Sequence, residues 1–114
     1  MKEELSVIQK TYDFIKWYVP ILNRVPRDHK FLLSDRIIAE LYTMLENLIK
    51  AKYSKNKLDL LLQTNIQLEI IRYQTRLVYD FNLINTNRYE YINKQLLEIG
   101  MELGGWLKQQ RQTA

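Results

Sequence analysis

Few residues in this 114-residue chain could carry covalent or acid–base chemistry. It has no cysteine and a single histidine, His29, which excludes thiolate nucleophiles, thiolate metal sites and disulfides. His29 lies in a polar turn and reads as a solvated or phosphate-facing residue rather than a catalytic base. A ferritin-like metal centre would need Glu-x-x-His pairs on facing helices. Glu69 and Glu98 are instead followed three residues later by Arg72 and Met101. The expectation is a protein that is not an enzyme, with no metal, no cofactor and no small-molecule substrate.

Cations, aromatics and glycines remain as groups that could recognise a partner. Lys+Arg exceeds Asp+Glu by 17 to 13, a net charge of +4 that permits a phosphate partner without requiring one. The basic residues gather at helix ends. Lys50, Lys52 and Lys108 fall at C-termini, where the helix dipole favours cations without any ligand. Arg27, Lys30, Lys55, Lys57 and Arg88 fall at helix starts, where it disfavours them. These five are therefore the nucleic-acid-binding candidates, set against a merely solvated surface. Of the eight tyrosines, Tyr42, Tyr53, Tyr79 and Tyr91 lie off or beside the apolar seams. Such side chains fill amphipathic boundaries, serve oligomer interfaces or stack on single-stranded bases. All three glycines sit together, as Gly100, Gly104 and Gly105 next to Trp106. Each costs about 1 kcal/mol inside a helix relative to alanine. Three explanations stand: close helix packing within the fold under Trp106, a subunit contact, or a helix C-cap at Gly104 or Gly105.

The elements that must position these residues are all helical. Leu5, Ile8, Tyr12, Ile15, Val19 and Leu22 recur at 3-4-3-4-3 spacing, with Phe14, Trp17 and Tyr18 off that seam. Such spacing belongs to a helix packed in a bundle. Pro20 should loosen its last turn. Pro26 opens a basic turn with Arg24, Arg27, Lys30 and Arg36, and Asp28 or Ser34 is the cap of the next helix, with Phe31 and Leu32 packed. In that helix Ile37, Leu41, Met44, Leu48 and Ala51 form a stripe, widened by Ile38, Leu45 and Ile49, while Asn47 lies on the polar face. Ser54 is the expected N-cap of a third helix with Leu58, Leu61, Leu62, Ile66, Ile70, Tyr73, Leu77 and Phe81 at helical spacing. Leu68, Ile71 and Val78 broaden that arc, and Asn65 points into it. Asn85 or Thr86 should cap the last helix, whose seam is Tyr89, Ile92, Leu96, Ile99, Leu103 and Trp106. Four helices, at about 4–24, 28–53, 55–82 and 86–110, joined by short loops, predict one all-α domain over residues 1–114: an antiparallel up-down-up-down four-helix bundle. No apolar run approaches the ~20 residues of a membrane helix, and Met1-Lys2-Glu3-Glu4 lacks a signal-peptide pattern. Together with the missing cysteine, this leads to the expectation of a cytoplasmic protein with no membrane partner.

The basic turn also carries a resemblance. Pro26-Arg27-Asp28-His29-Lys30-Phe31, then Leu33-Ser34-Asp35-Arg36-Ile37, resembles the start of the second helix in accessory variability determinant proteins. These are small four-helix-bundle partners of the reverse transcriptase in diversity-generating retroelements. Ile99-Gly100 and Leu103-Gly104-Gly105-Trp106-Leu107-Lys108 resemble the family's last helix, and Leu68-Glu69 with Arg72 its third. The likeness covers most of residues 10–108, with Ser34 where relatives often carry glycine. Looser forms of both motifs occur in four-helix-bundle proteins encoded in ribosomal-RNA intervening sequences, the alternative reading, with an oligomerisation-based role. The resemblance implies a homopentamer that binds the reverse transcriptase together with RNA or DNA (template RNA and cDNA). In that role it would support mutagenic reverse transcription and homing. Five copies of a +4 chain carry about +20, a field able to hold a phosphate backbone.

Overall fold

The helical periodicity resolves into long rods joined by tight turns. The computed structural model describes residues 2–113, with α1 at Lys2–Asn23, a single turn α2 at Arg27–His29 and a π-helical stretch at Lys30–Ser34. Then follow α3 (Asp35–Tyr53), α4 (Leu58–Asp80) and α5 (Thr86–Thr113). No strand occurs among the described residues. Helix α1 packs on α3 and α5, and α4 packs on the same two. The long helices therefore stand in the order α1, α3, α4, α5 around a square. Short connections make sequence neighbours antiparallel, so the fold is a four-helix bundle, 46 × 24 × 19 Å overall.

The connections show how the termini are satisfied. Helix α4 ends in a Schellman turn: Leu83 N–H donates to the Val78 carbonyl and Asn82 N–H to that of Tyr79. Asn82 takes the left-handed conformation, φ 61°, that glycine more often supplies there. Asn85 caps α5 as expected, its Oδ1 accepting from Arg88 N–H at 2.8 Å. The other expected caps are corrected. Ser54 ends α3 instead of starting α4, its hydroxyl donating back to the Lys50 carbonyl, and α4 begins at Leu58 rather than near residue 55. Neither Asp28 nor Ser34 caps a helix by its side chain, because the chain turns helical directly after Pro26, whose fixed φ suits a helix start.

The core confirms two stripes and rotates two others. Ile37, Leu41, Met44, Leu48 and Ala51 of α3 are fully buried, as are Ile92, Leu96, Ile99, Leu103 and Trp106 of α5. On α1 the buried face is Val7, Thr11, Phe14, Tyr18 and Leu22, with Ile15 at its edge, while Tyr12 is exposed. Phe14 and Tyr18 are therefore core residues, not bystanders to the seam. (Leu5 is outside the residues whose side chains are described.) On α4 the buried face is Leu61, Thr64, Leu68, Ile71, Thr75 and Val78. The richer stripe of Ile66, Ile70, Tyr73, Leu77 and Phe81 is exposed instead. The inward threonines are tolerated because their hydroxyls are bonded: Thr64 donates to the Leu60 carbonyl and Thr75 pairs with the Tyr18 hydroxyl at 2.9 Å. Asn65 is exposed. The buried amide is Asn47, which donates to Gln67 Oε1 at 3.2 Å.

Tyr18 gives the core a pH signature. Burial pushes its phenol up from 10.0 to about 12, against a smaller downward pull from the Thr75 hydrogen bond. The folded state thus keeps a proton that the unfolded chain loses above about pH 10. Its stabilising contribution is complete below about pH 10, falls as the pH rises, and is gone above about pH 12, a loss of roughly 2–3 kcal/mol. Urea titrations at about pH 9 and pH 11.5 should show this drop in the wild type and not in Tyr18→Phe, which at neutral pH costs about 1–2 kcal/mol by leaving Thr75 unpaired.

Candidate interaction surfaces

The basic candidates fall on opposite ends of the bundle. Arg27, Lys30 and Arg88 lie at the end where α1 finishes, α3 begins and α4 turns into α5. Arg27 and Arg88 are exposed and make no ion pair among the described residues. Lys30 is less available, because its ammonium sits 3.0 Å from Asp35 and 5.8 Å from the centre of the Phe31 ring. His29 stacks on Phe81, ring centres 4.8 Å apart. Phe31 and Leu32 are 62% and 75% exposed, which corrects their expected packing. The π-helical turn orients this segment with Leu33 and Ser34 inward and Phe31 and Leu32 outward.

The other end holds Lys55 and Lys57. Lys55 is exposed. Lys57 is a capping residue in this structure, which corrects its reading as a free cation. Its ammonium donates to the carbonyls of Ala51, Lys52 and Ser54 at 2.8, 2.9 and 3.0 Å. All three donors are engaged by the C-terminus of α3, where the dipole favours a cation. Spacing along the chain placed Lys57 at a helix start, but its charge acts on the helix before.

The glycines separate. Gly100 faces α4, where a Cβ would come within 2.9 Å of Arg72 Nη2 and 3.2 Å of Leu68 Cδ2. It leaves room for the Arg72 guanidinium, which donates across to the Leu96 carbonyl at 3.3 Å. This is close packing inside the bundle. Gly104 and Gly105 are exposed with nothing within 4 Å of a Cβ, and α5 runs through them to Thr113. The C-cap explanation is thereby removed, and Trp106 does not cover these two glycines. It is fully buried in the core.

One surface was missed from the sequence. Helix α4 leaves Ile66, Ile70, Tyr73 and Leu77 exposed on the side away from its buried face, and α5 leaves Leu97 and Met101 exposed. Between the two helices runs a groove of about 340 Å³ lined by Glu69, Arg72, Tyr73, Arg76, Tyr89, Asn93 and Leu97. Tyr89 stacks face to face on Tyr79 at 4.2 Å. Arg76 is only 3.9 Å from Asp80, both more than half exposed, an ion pair worth little. The signal was present as the second apolar stripe over residues 62–81, and only the choice of its direction was missing. No helix among the described residues is long and apolar enough to cross a membrane.

Comparison with known proteins bears on this fold and these motifs. A crystal structure of a protein of unknown function from the S23 ribosomal protein family of Bacteroides thetaiotaomicron superposes with a TM-score of 0.85 at 20% sequence identity. The match covers 93% of this chain and 98% of that one, and it supports the bundle architecture. Comparison with curated proteins found no significant match. The sequence profile of the bAvd-like family matches residues 5–110, nearly the whole chain. The chain belongs to the bAvd-like family.

Proposed function

We propose that this protein is a non-enzymatic accessory subunit of a diversity-generating retroelement. It assembles as a homo-oligomer, a pentamer by family likeness, and holds the reverse transcriptase together with RNA or DNA. In that role it supports mutagenic copying of a template RNA into cDNA. One observation carries the assembly: α4 has apolar residues on two faces, and the bundle covers only one. Six large apolar or aromatic side chains of α4 and α5 are each 41–68% exposed, and contiguous apolar surface is what marks interaction sites. Tyrosine and arginine beside it are residue types enriched at interfaces. Exposed Gly104 and Gly105 extend the α5 side with bare backbone, where a neighbouring helix can approach closely. Closing a ring multiplies the net charge and brings the basic ends of all copies onto a common rim.

Light scattering and fluorescence anisotropy test this directly. The expected result is a particle of about five chains that binds RNA and DNA with a steep salt dependence. Arg27→Glu together with Arg88→Glu should leave the helical circular dichroism unchanged, weaken binding at least about tenfold and flatten its salt slope. A monomer would sink the ring. A neighbouring reverse transcriptase gene and a template/variable repeat pair are the expected genomic setting.

A further inference from the structure

We infer that the end of the bundle carrying Arg27 binds single-stranded nucleic acid, with bases stacked on Phe31 and on the His29–Phe81 pair. This rests on the nucleic-acid reading above and adds the strand class and the side chains that meet the bases. At this end the aromatic surface and the charge coincide. Phe31 is 62% exposed and Phe81 49%, and Phe81 already holds one flat ring, His29, at 4.8 Å with 23° between planes. The π-helical segment that presents Phe31 packs against α4, which brings Phe81 to the same end. Short π-helical turns recur at functional sites, and this one presents an apolar pair to water at its outer side.

Exposed Arg24, Arg27, Arg36 and Arg88 lie at this same end of the bundle. The carboxylates at this end are Asp28, which is exposed, Asp35, which is paired with Lys30, and Asp80 beside Phe81, which lies 3.9 Å from Arg76. The excess is positive and suits a phosphate chain. A duplex would use the arginines alone, since its bases are stacked on one another and offer only edges in the grooves. Exposed flat rings beside cations match a strand whose base faces are free. An acidic apolar protein segment would also find complementary charge here, but it has no particular use for flat rings on which a base can stack.

The test uses the full chain with a labelled oligothymidylate and a labelled mixed-sequence duplex of equal length, followed by anisotropy. The expected result is tighter binding of the single strand. Phe31→Ala should weaken single-strand binding about tenfold, within the range of losing one base stack, and leave duplex binding unchanged, while Phe31→Trp retains it. Phe31 is largely exposed, so each variant should keep wild-type circular dichroism. Equal affinity for both probes, or single-strand binding that Phe31→Ala leaves intact while Arg27→Glu reduces it, overturns the inference and leaves the nucleic-acid reading standing. Failure of the wild type to bind either probe removes that reading and the inference together. Should Leu32→Ser change the particle size and not the affinity, the surface is a protein contact and the inference is wrong.

Discussion

Truncating Trp106 to alanine is expected to lower the unfolding free energy by about 3–5 kcal/mol, the largest effect of any single side chain in the bundle. Trp106 is the largest fully buried residue of the core, and nothing nearby can collapse into so large a void without moving a helix. Its indole N–H is buried without an acceptor among the described residues, which sharpens the prediction. Trp106→Phe loses apolar area but also removes an unsatisfied donor that itself costs about 1–3 kcal/mol, so its net cost should be well below that of the alanine variant. Urea unfolding followed by far-ultraviolet circular dichroism measures both. Equal losses for the two variants would mean that the indole nitrogen finds a partner after all.

Placing glutamates on the outer face of α4, as Ile70→Glu with Leu77→Glu, should reduce the proposed oligomer to monomers while leaving the bundle folded. These residues are 41% and 45% exposed, and exposed substitutions usually change stability by no more than about 0.5 kcal/mol. Buried between subunits, two unpaired carboxylates would cost far more than any ring contact returns. Gly104→Leu acts on the α5 side with the opposite local sign. No atom lies within 4 Å of the added Cβ, so the lone helix gains roughly 0.5–1 kcal/mol of propensity, while an approaching backbone is pushed away. Light scattering should therefore record a smaller particle and thermal melting a bundle no less stable. An unchanged particle from both variants would place the interface elsewhere.

How much of this was legible in the sequence depended on whether a helix is apolar on one face or two. Helices α3 and α5 have one dominant stripe, and the apolar stripes from Ile37 to Ala51 and from Ile92 to Trp106 were read correctly, although Asn47, read as outward-facing, is buried beside the first. Helices α1 and α4 have two. Counting apolar residues favoured Ile66-Ile70-Tyr73-Leu77 over a face containing Thr64 and Thr75; Thr64 bonds back within its own helix to Leu60 O, but the partner of Thr75, Tyr18 on another helix, becomes visible only in three dimensions. Hydrophobicity cannot tell a face meant for the core from one left for another chain. The caps divide similarly. Asn85 acts within its own turn and was readable, whereas Lys57 reaches back over three to six residues to the end of the preceding helix. Of the candidate site, Arg27 and Arg88 keep the expected exposure. The aromatic company of Arg27 depends on how a π-helical turn aims Phe31, which no periodicity predicts.

The meeting of Arg72 and Gly100 has a consequence for assembly of the bundle itself. A guanidinium lying in the gap left by a missing Cβ, and bonded to Leu96 O, behaves as a detent between two rods. Sliding α5 along α4 by one turn, about 5.4 Å, would take the guanidinium off the Leu96 carbonyl and, in one of the two directions, put the Leu96 side chain where Gly100 now leaves room. Leucine-rich helices are otherwise free to interdigitate at several offsets of nearly equal energy. A notch of this kind favours the offset that keeps the Arg72–Leu96 bond, so that each copy of the chain presents its outer face at the same height.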